Sequence, residues 1–253
     1  MGILRRAAMG ALQVVAVAGL WEATSRLGII DPEFLPPVTR IVAAWADLAL
    51  SGHVLPHLAA SLYRALTGFL LAVAVGVVLG VWMARSRALE GFCDPLITLT
   101  YPLPKVAIIP LTMIWFGIGH FAKTLVVFIG CLMPVVIHAF HGARGTDHVL
   151  VWSAQAMGAR EREVLRRVVL PAALPSILAG IRIALNFSFV LVIGAELVAS
   201  RVGLGNLILG FGENGAYDYM FATILAVLIV AVAMDRAYLA LMTRALHWHA
   251  PQA

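Results

Sequence analysis

Three ionisable side chains sit where the surrounding chain is almost wholly apolar: Lys105, Arg182 and Glu196. A charged group at the centre of a membrane helix costs roughly 2.5–3.5 kcal/mol on insertion scales, so it needs water, a partner or a function. For Lys105 the functional option is a positive lining for an anionic solute. The structural options are a salt bridge, with Glu196 as candidate partner, or a hydrogen bond to a carbonyl freed by Pro102, Pro104 or Pro110. Arg182 and Asn186 are four residues apart and so share one helix face. Arg182 can line a path, or snorkel and brace neighbouring structure. Glu196 fits a gate, a contact between subunits, or a carboxylate satisfied inside the fold.

Other chemistry is missing from the sequence. There is no Gly-x-x-x-x-Gly-Lys-Ser/Thr phosphate loop, so any ATP chemistry belongs to a partner. There is no Gly-x-Ser-x-Gly elbow and no His-Glu-x-x-His, which weighs against an intramembrane enzyme. No catalytic residue, metal site or cofactor is expected in the chain itself. Cys93 and Cys131 lie in apolar surroundings and read as packing residues. His247 and His249 flank Trp248, but two histidines without a third ligand make a weak metal site.

Composition explains why these charges matter. The 253 residues are 62% hydrophobic and only 12% charged, with a mean hydropathy of +0.94. Soluble chains carry about 25% charged residues. The pattern is that of an all-α polytopic membrane protein, read as a single transmembrane domain over 1–253. The net charge of +5 needs no nucleic acid: arginine and lysine gather in cytoplasmic loops of membrane proteins. Lys105, Asn186 and Glu196 thus become candidates for lining a translocation path.

Six spans are expected, at about 7–27, 58–84, 91–117, 121–140, 172–199 and 219–241. The first follows Arg5 and Arg6 and also resembles a secretory signal, with Ala16-Val17-Ala18 as a cleavage-like site; an uncleaved helix is the preferred reading. Val38–Leu50 is amphipathic and too short to span, with Val38, Ile41, Val42, Trp45 and Leu48 on one face. Gly68, Gly76 and Gly80 put small residues near one face of the second span, where another helix can approach closely. Arg201 to Asp218 reads as a Gly-rich outer loop with an apolar patch from Leu204 to Phe211. Of the eighteen Lys and Arg, ten fall at one set of ends, five at the other and three within spans. That bias puts both termini and the Arg-rich loop in the cytoplasm.

That loop, 145–171, reads as two short helices. The first ends near Gly158. The second has Val164, Leu165 and Val168 on one side and Arg160, Glu163, Arg166 and Arg167 on the other, and Leu170-Pro171 is expected to stop or kink it.

The loop resembles the cytoplasmic coupling loop of ATP-binding-cassette importer permeases, whose pattern is Glu-Ala-Ala, three residues, Gly, nine residues, Ile, one residue, Leu-Pro. Here Ala154 precedes Gly158 by that spacing, nine residues separate Gly158 from Val168, and Leu170-Pro171 close the pattern. Trp152 and Ser153 replace the family's Glu and first Ala. Further stretches resemble the nitrate, sulfonate and taurine branch: His57 to Leu62 with Arg64, Tyr101 to Lys105, Ile109-Pro110-Leu111, Trp115 to Gly119, Ala195-Glu196-Leu197 and Gly203-Leu204-Gly205. The resemblance implies a six-helix permease of the type I, MetI-like kind in a bacterial inner membrane, working as a homodimer. It implies two cytosolic ATPase subunits that bind ATP and Mg, and an external solute-binding protein that delivers a small solute, such as a sulfonate. Trp152, Ser153, Ala154, Gly158, Ala159, Val168, Leu170 and Pro171 would carry the coupling to the ATPase. An ion-coupled secondary transporter is the alternative, kept alive by the buried charges.

Overall fold

A computed structural model describes residues 2–247, without the side chains of residues 2–8 and 11. Arg5, Arg6 and the Trp248-His249 end of the His-Trp-His tail fall outside the described side chains. Every described element is helical. In chain order they are α1 (Gly2–Arg26), α2 (Val38–Leu50), α3 (Val54–Arg85), α4 (Arg87–Thr100), a 3-10 turn (Lys105–Ile108), α5 (Ile109–Phe116) and α6 (His120–Arg144). There follow α7 (His148–Ala156), α8 (Glu161–Val164), a π turn (Leu165–Val169), α9 (Leu170–Val198), α10 (Leu204–Glu213) and α11 (Tyr217–Ala245).

Among the described residues four helices are long and apolar enough to cross a membrane: α3, α6, the continuous Glu161–Val198 run and α11. Arg87–Thr100 and Lys105–Phe116 make a fifth only if counted as one broken span, bent by 93°. The expected span at 91–117 is this bent pair. The expected first span falls in α1, which lies outside the set of four or five, so the count of six is not established.

The chain divides into two units, Met1–Ala59 with Arg201–Ile229, and Ala60–Ser200 with Val230–Ala253. In the first unit α2 buries Ile41, Ala44 and Leu48 against Ala222, with Trp21, Phe211 and Tyr219 around them. The buried stripe differs from the one expected, since Val42 is 49% exposed. Ala44, a small residue easily passed over in a hydrophobic count, supplies the contact at i+3 from Ile41. Leu204–Glu213 is a helix and not a loop. Its three glycines carry a local helix penalty, and the burial of Leu204 and Leu207 offsets it.

The second unit is built on α6 against α9, the most extensive helix pair in the chain. Their shared core holds Val126, Val127, Cys131 and Val135 against Ala184, Leu185, Leu191 and Val192. Cys131 packs there, its Sγ donating to the Ala184 carbonyl at 3.2 Å. The glycine face of α3 lies on α6, as its spacing suggests. A Cβ on Gly68 would stand 2.7 Å from the Thr124 carbonyl oxygen, one on Gly76 2.8 Å from Val135, and one on Gly80 2.5 Å from the Val136 carbonyl oxygen. Only hydrogen fits at these points, which lets the backbones approach.

Pro171 does not stop the second loop helix. Glu161–Val198 runs through it as one 38-residue helical stretch. A proline clashes with the carbonyl four residues back, here Arg167. The π turn relieves this by widening the helix just ahead of the ring, and the Leu170 N–H bonds the Leu165 carbonyl, five residues back.

Candidate functional site

The bend between α4 and α5 follows from its prolines. In an unbroken helix the Thr100 carbonyl would accept the N–H of residue 104, and Pro104 has none. Lys105 takes up the loss. Its Nζ donates to the Thr100 oxygen at 2.9 Å and to the Tyr101 oxygen at 2.5 Å. Of the two structural options the carbonyl bond is the one formed, and no Lys105–Glu196 ion pair is found among the described residues. The ammonium sits over the Tyr101 ring, 5.5 Å from its centre. A cavity of about 370 Å³ opens beside it, lined by Tyr101, Lys105, Met133, His138, Phe187 and Val190 among others. Its wall is mainly apolar and aromatic, with Lys105 and His138 as the groups able to carry positive charge.

Lys105, Asn186 and Glu196 are not brought together. Asn186 is exposed beside Phe187 but does not line this cavity. Glu196 is fully buried and paired with Arg64 at 2.5 Å. Ser61 Oγ donates to both of its carboxylate oxygens, at 2.9 and 2.8 Å. Arg64 Nε reaches His120 Nδ1 at 3.2 Å, and buried Lys123 donates to the Ile118 carbonyl at 2.6 Å. Arg182 binds Asp235 of α11 through two parallel hydrogen bonds of 2.8 and 2.9 Å. Sequence reasoning missed His138, Phe187 and Asp235. An acidic residue at membrane depth, Asp235, was the available signal for the partner of Arg182.

The loop forms a folded protrusion. Asp147 caps α7, its Oδ1 accepting from the Val149 N–H at 2.8 Å. Gly158 ends the turn at φ +84°, a left-handed conformation that glycine adopts without a Cβ penalty. The Gly158 N–H bonds the Gln155 carbonyl at 2.9 Å and the Ala159 N–H the Ala154 carbonyl at 3.0 Å. Ala154 faces inward, packed with Ala143, Val164 and Val169. Val168, Ala159 and Leu170 are half-buried against the same cluster. Ser153 and Pro171 are exposed. Trp152 is 65% exposed, its ring tilted against His148 with centres 6.0 Å apart. A cavity of about 380 Å³ gathers Ala154, Gly158, Ala159 and Val168 with Met157, Glu163 and Arg167. A Cβ at Gly158 would meet nothing within 4 Å. Trp152 and Met157 are thus exposed on the loop, and an open notch lies at Gly158.

Helices long and apolar enough to cross a membrane, a bent helix pair beside a lysine and an Arg-rich loop folded into short helices are the parts of a transport permease. The chain belongs to the binding-protein-dependent transport system inner membrane component family, which matches residues 76–247. It is the permease subunit of an ABC importer, not an enzyme, and so works with an ATPase and a binding protein. It is 35% identical to the taurine transport system permease protein TauC of Escherichia coli (strain K12), over 91% of this chain and 86% of that protein. It is 32% identical to the putative aliphatic sulfonates transport permease protein SsuC of Bacillus subtilis (strain 168), over 94% and 87%. An inward-facing structure of the MetNI methionine ABC transporter shares the fold, with a TM-score of 0.68 at 18% identity over 78% of this chain and 98% of that one. The ion-coupled alternative is set aside with this membership. The charges that favoured it are also engaged within the fold, Glu196 by Arg64 and Arg182 by Asp235.

Proposed function

We propose that two copies of this chain pair about a two-fold axis and form the path for a small organic anion, most simply a sulfonate. The observation that carries this reading is the half-buried Lys105 ammonium at the helix break, beside a cavity of about 370 Å³. A lysine ammonium that spends two of its three N–H donors on its own backbone keeps one for a passing anion. Tyr101 and Phe187 supply apolar walls for a short carbon chain. The names of the taurine and sulfonate relatives support the solute class.

Pairing is supported by the loop. One chain offers one protrusion, and an ATPase pair presents two docking clefts. The bias of arginine and lysine supports cytoplasmic termini and a cytoplasmic loop. In this reading α7 and the Gly158 notch seat on the ATPase, and the continuous helix from Glu161 to Val198 carries the motion into the membrane. Trp152, Ser153, Gly158 and Ala159 make the contact. Ala154, Val168, Leu170 and Pro171 hold its shape. The deciding experiment is to co-purify the binding protein and identify its retained ligand by mass spectrometry. A sulfonate or related anion is expected; a cationic or neutral ligand would overturn the solute assignment.

A further inference from the structure

A second trough, separate from the path and the docking notch, runs along the loop end of α3. It has a volume of about 450 Å³ and is lined by Val77, Val78, Val81, Trp82, Leu165 and Leu170, with Arg85, Arg162 and Glu161 also in its wall. Val78 and Trp82 are 64% and 62% exposed. Arg85 and Arg162 are exposed and form no ion pair among the described residues. An apolar wall on a membrane-spanning helix, joined to unpaired guanidinia at the span's end, has the polarity of a phospholipid. We propose that the trough binds one anionic phospholipid of the cytoplasmic leaflet, acyl chain against the valines and Trp82, phosphate between Arg85 and Arg162.

Charge complementarity selects this occupant. The charged residues of the trough carry a net charge of +1, two arginines against Glu161. The rest of the segment 160–167 adds to the positive sign, with Arg160, Arg166 and Arg167 against Glu163. Basic pockets between helices on the cytoplasmic side suit anionic head groups. An apolar partner helix would leave both guanidinia unpaired beneath it, which is costly once they are covered. The trough's two walls are α3 and the α8–π turn–α9 joint. A seated lipid would therefore bridge a membrane span and the stretch that leads out of the coupling loop. The proposal rests on the cytoplasmic placement of that loop. It does not depend on the solute or on pairing, and it has its own readout.

The test uses the whole transporter, with ATPase, purified from membranes containing phosphatidylglycerol and phosphatidylethanolamine. Native mass spectrometry counts the lipids that survive delipidation. We expect phosphatidylglycerol to be retained, and retention to fall about fivefold for Arg85→Gln or Arg162→Gln, since one arginine near an anionic surface is worth about 1 kcal/mol. Arg87→Gln, at the same end of the span but outside the trough, should leave retention unchanged. Equal loss in all three variants would mean a diffuse positive surface and would overturn the site. Preferential retention of phosphatidylethanolamine, or no change in any variant, would overturn it as well. Should the arginine variants fail to assemble, tryptophan quenching decides. In nanodiscs, brominated phosphatidylglycerol should quench tryptophan emission more in the wild type than in Trp82→Phe, and brominated phosphatidylcholine should not. Equal quenching by the two lipids would contradict the proposal.

Discussion

Arg64 Nη1 lies 2.5 Å from Glu196 Oε1, with the two side chains 3% and 0% exposed. The pair joins α3 to α9 across 132 residues of sequence. Ser61, one turn before Arg64, donates its hydroxyl to the same carboxylate. Buried pairs are held together less by their attraction than by the cost of stranding one partner. Glu196→Ala should therefore destabilise the permease by about 3–5 kcal/mol, read as a fall in thermal unfolding temperature in detergent. The double variant Arg64→Met with Glu196→Met should recover much of that loss. A double variant as unstable as the single one would show that the pair itself, and not the stranded charge, holds the helices.

Close approach of α3 to α6 gives a second expectation. Gly80→Ala would press a methyl group to 2.5 Å from the Val136 carbonyl oxygen, part of a backbone that cannot step aside. Overpacking of this kind costs about 1–3 kcal/mol. Gly91→Ala, where a Cβ meets nothing within 4 Å, serves as the control and should be neutral or slightly stabilising. Equal behaviour of the two variants would remove the glycine face from the account.

Much of this was legible in the sequence, and the failures share a cause. The glycine face and the proline-freed carbonyl beside Lys105 are local features, set by spacing within one helix or turn. Partner choice is not local. Nothing near Glu196 points to Arg64, and nothing near Arg182 points to Asp235, 53 residues away. A bridge between Lys105 and Glu196 was one option beside the freed carbonyl, and in the fold Lys105 takes the carbonyls and Glu196 takes Arg64. Pro171 is a further case. The local rule for proline is a stop or a kink, and the helix instead runs past it through a π turn, with Val164 and Val169 buried in the loop core. The helix at Leu204–Glu213 was hidden by its glycines for the same reason.

Lys105 carries the solute expectation. Loss of a charge-assisted hydrogen bond is worth about 1.5–3 kcal/mol, or roughly 10–100-fold in rate if it is made at the barrier. Lys105→Met should slow uptake of an anionic solute by that order, with assembly and ATPase binding unchanged. Failure to insert or pair would assign the residue to the helix break alone. Wild-type uptake with normal assembly would dismiss both roles.

Trp152 stands out from the protrusion with 65% of its surface exposed. Aromatic residues of this kind dominate interface energetics. Trp152→Ala should weaken the complex with the ATPase by about 2 kcal/mol, close to thirtyfold in Kd, as read by titrating the ATPase onto permease in nanodiscs. An unchanged Kd would place the ring outside the interface.

The central claim is that the 145–171 loop couples this permease to its ATPase, and Gly158 tests it most directly. Its surroundings are open and its φ of +84° is left-handed. Gly158→Ala carries the backbone cost with little bulk; Gly158→Arg adds a long side chain in the notch. The measurement compares both variants in proteoliposomes with ATPase and binding protein, following ATPase binding, solute-stimulated hydrolysis and uptake together. The account predicts that Gly158→Arg inserts normally yet loses ATPase binding, or hydrolyses ATP without uptake, well beyond the effect of Gly158→Ala. Docking and coupling in Gly158→Arg equal to those of Gly158→Ala would contradict it.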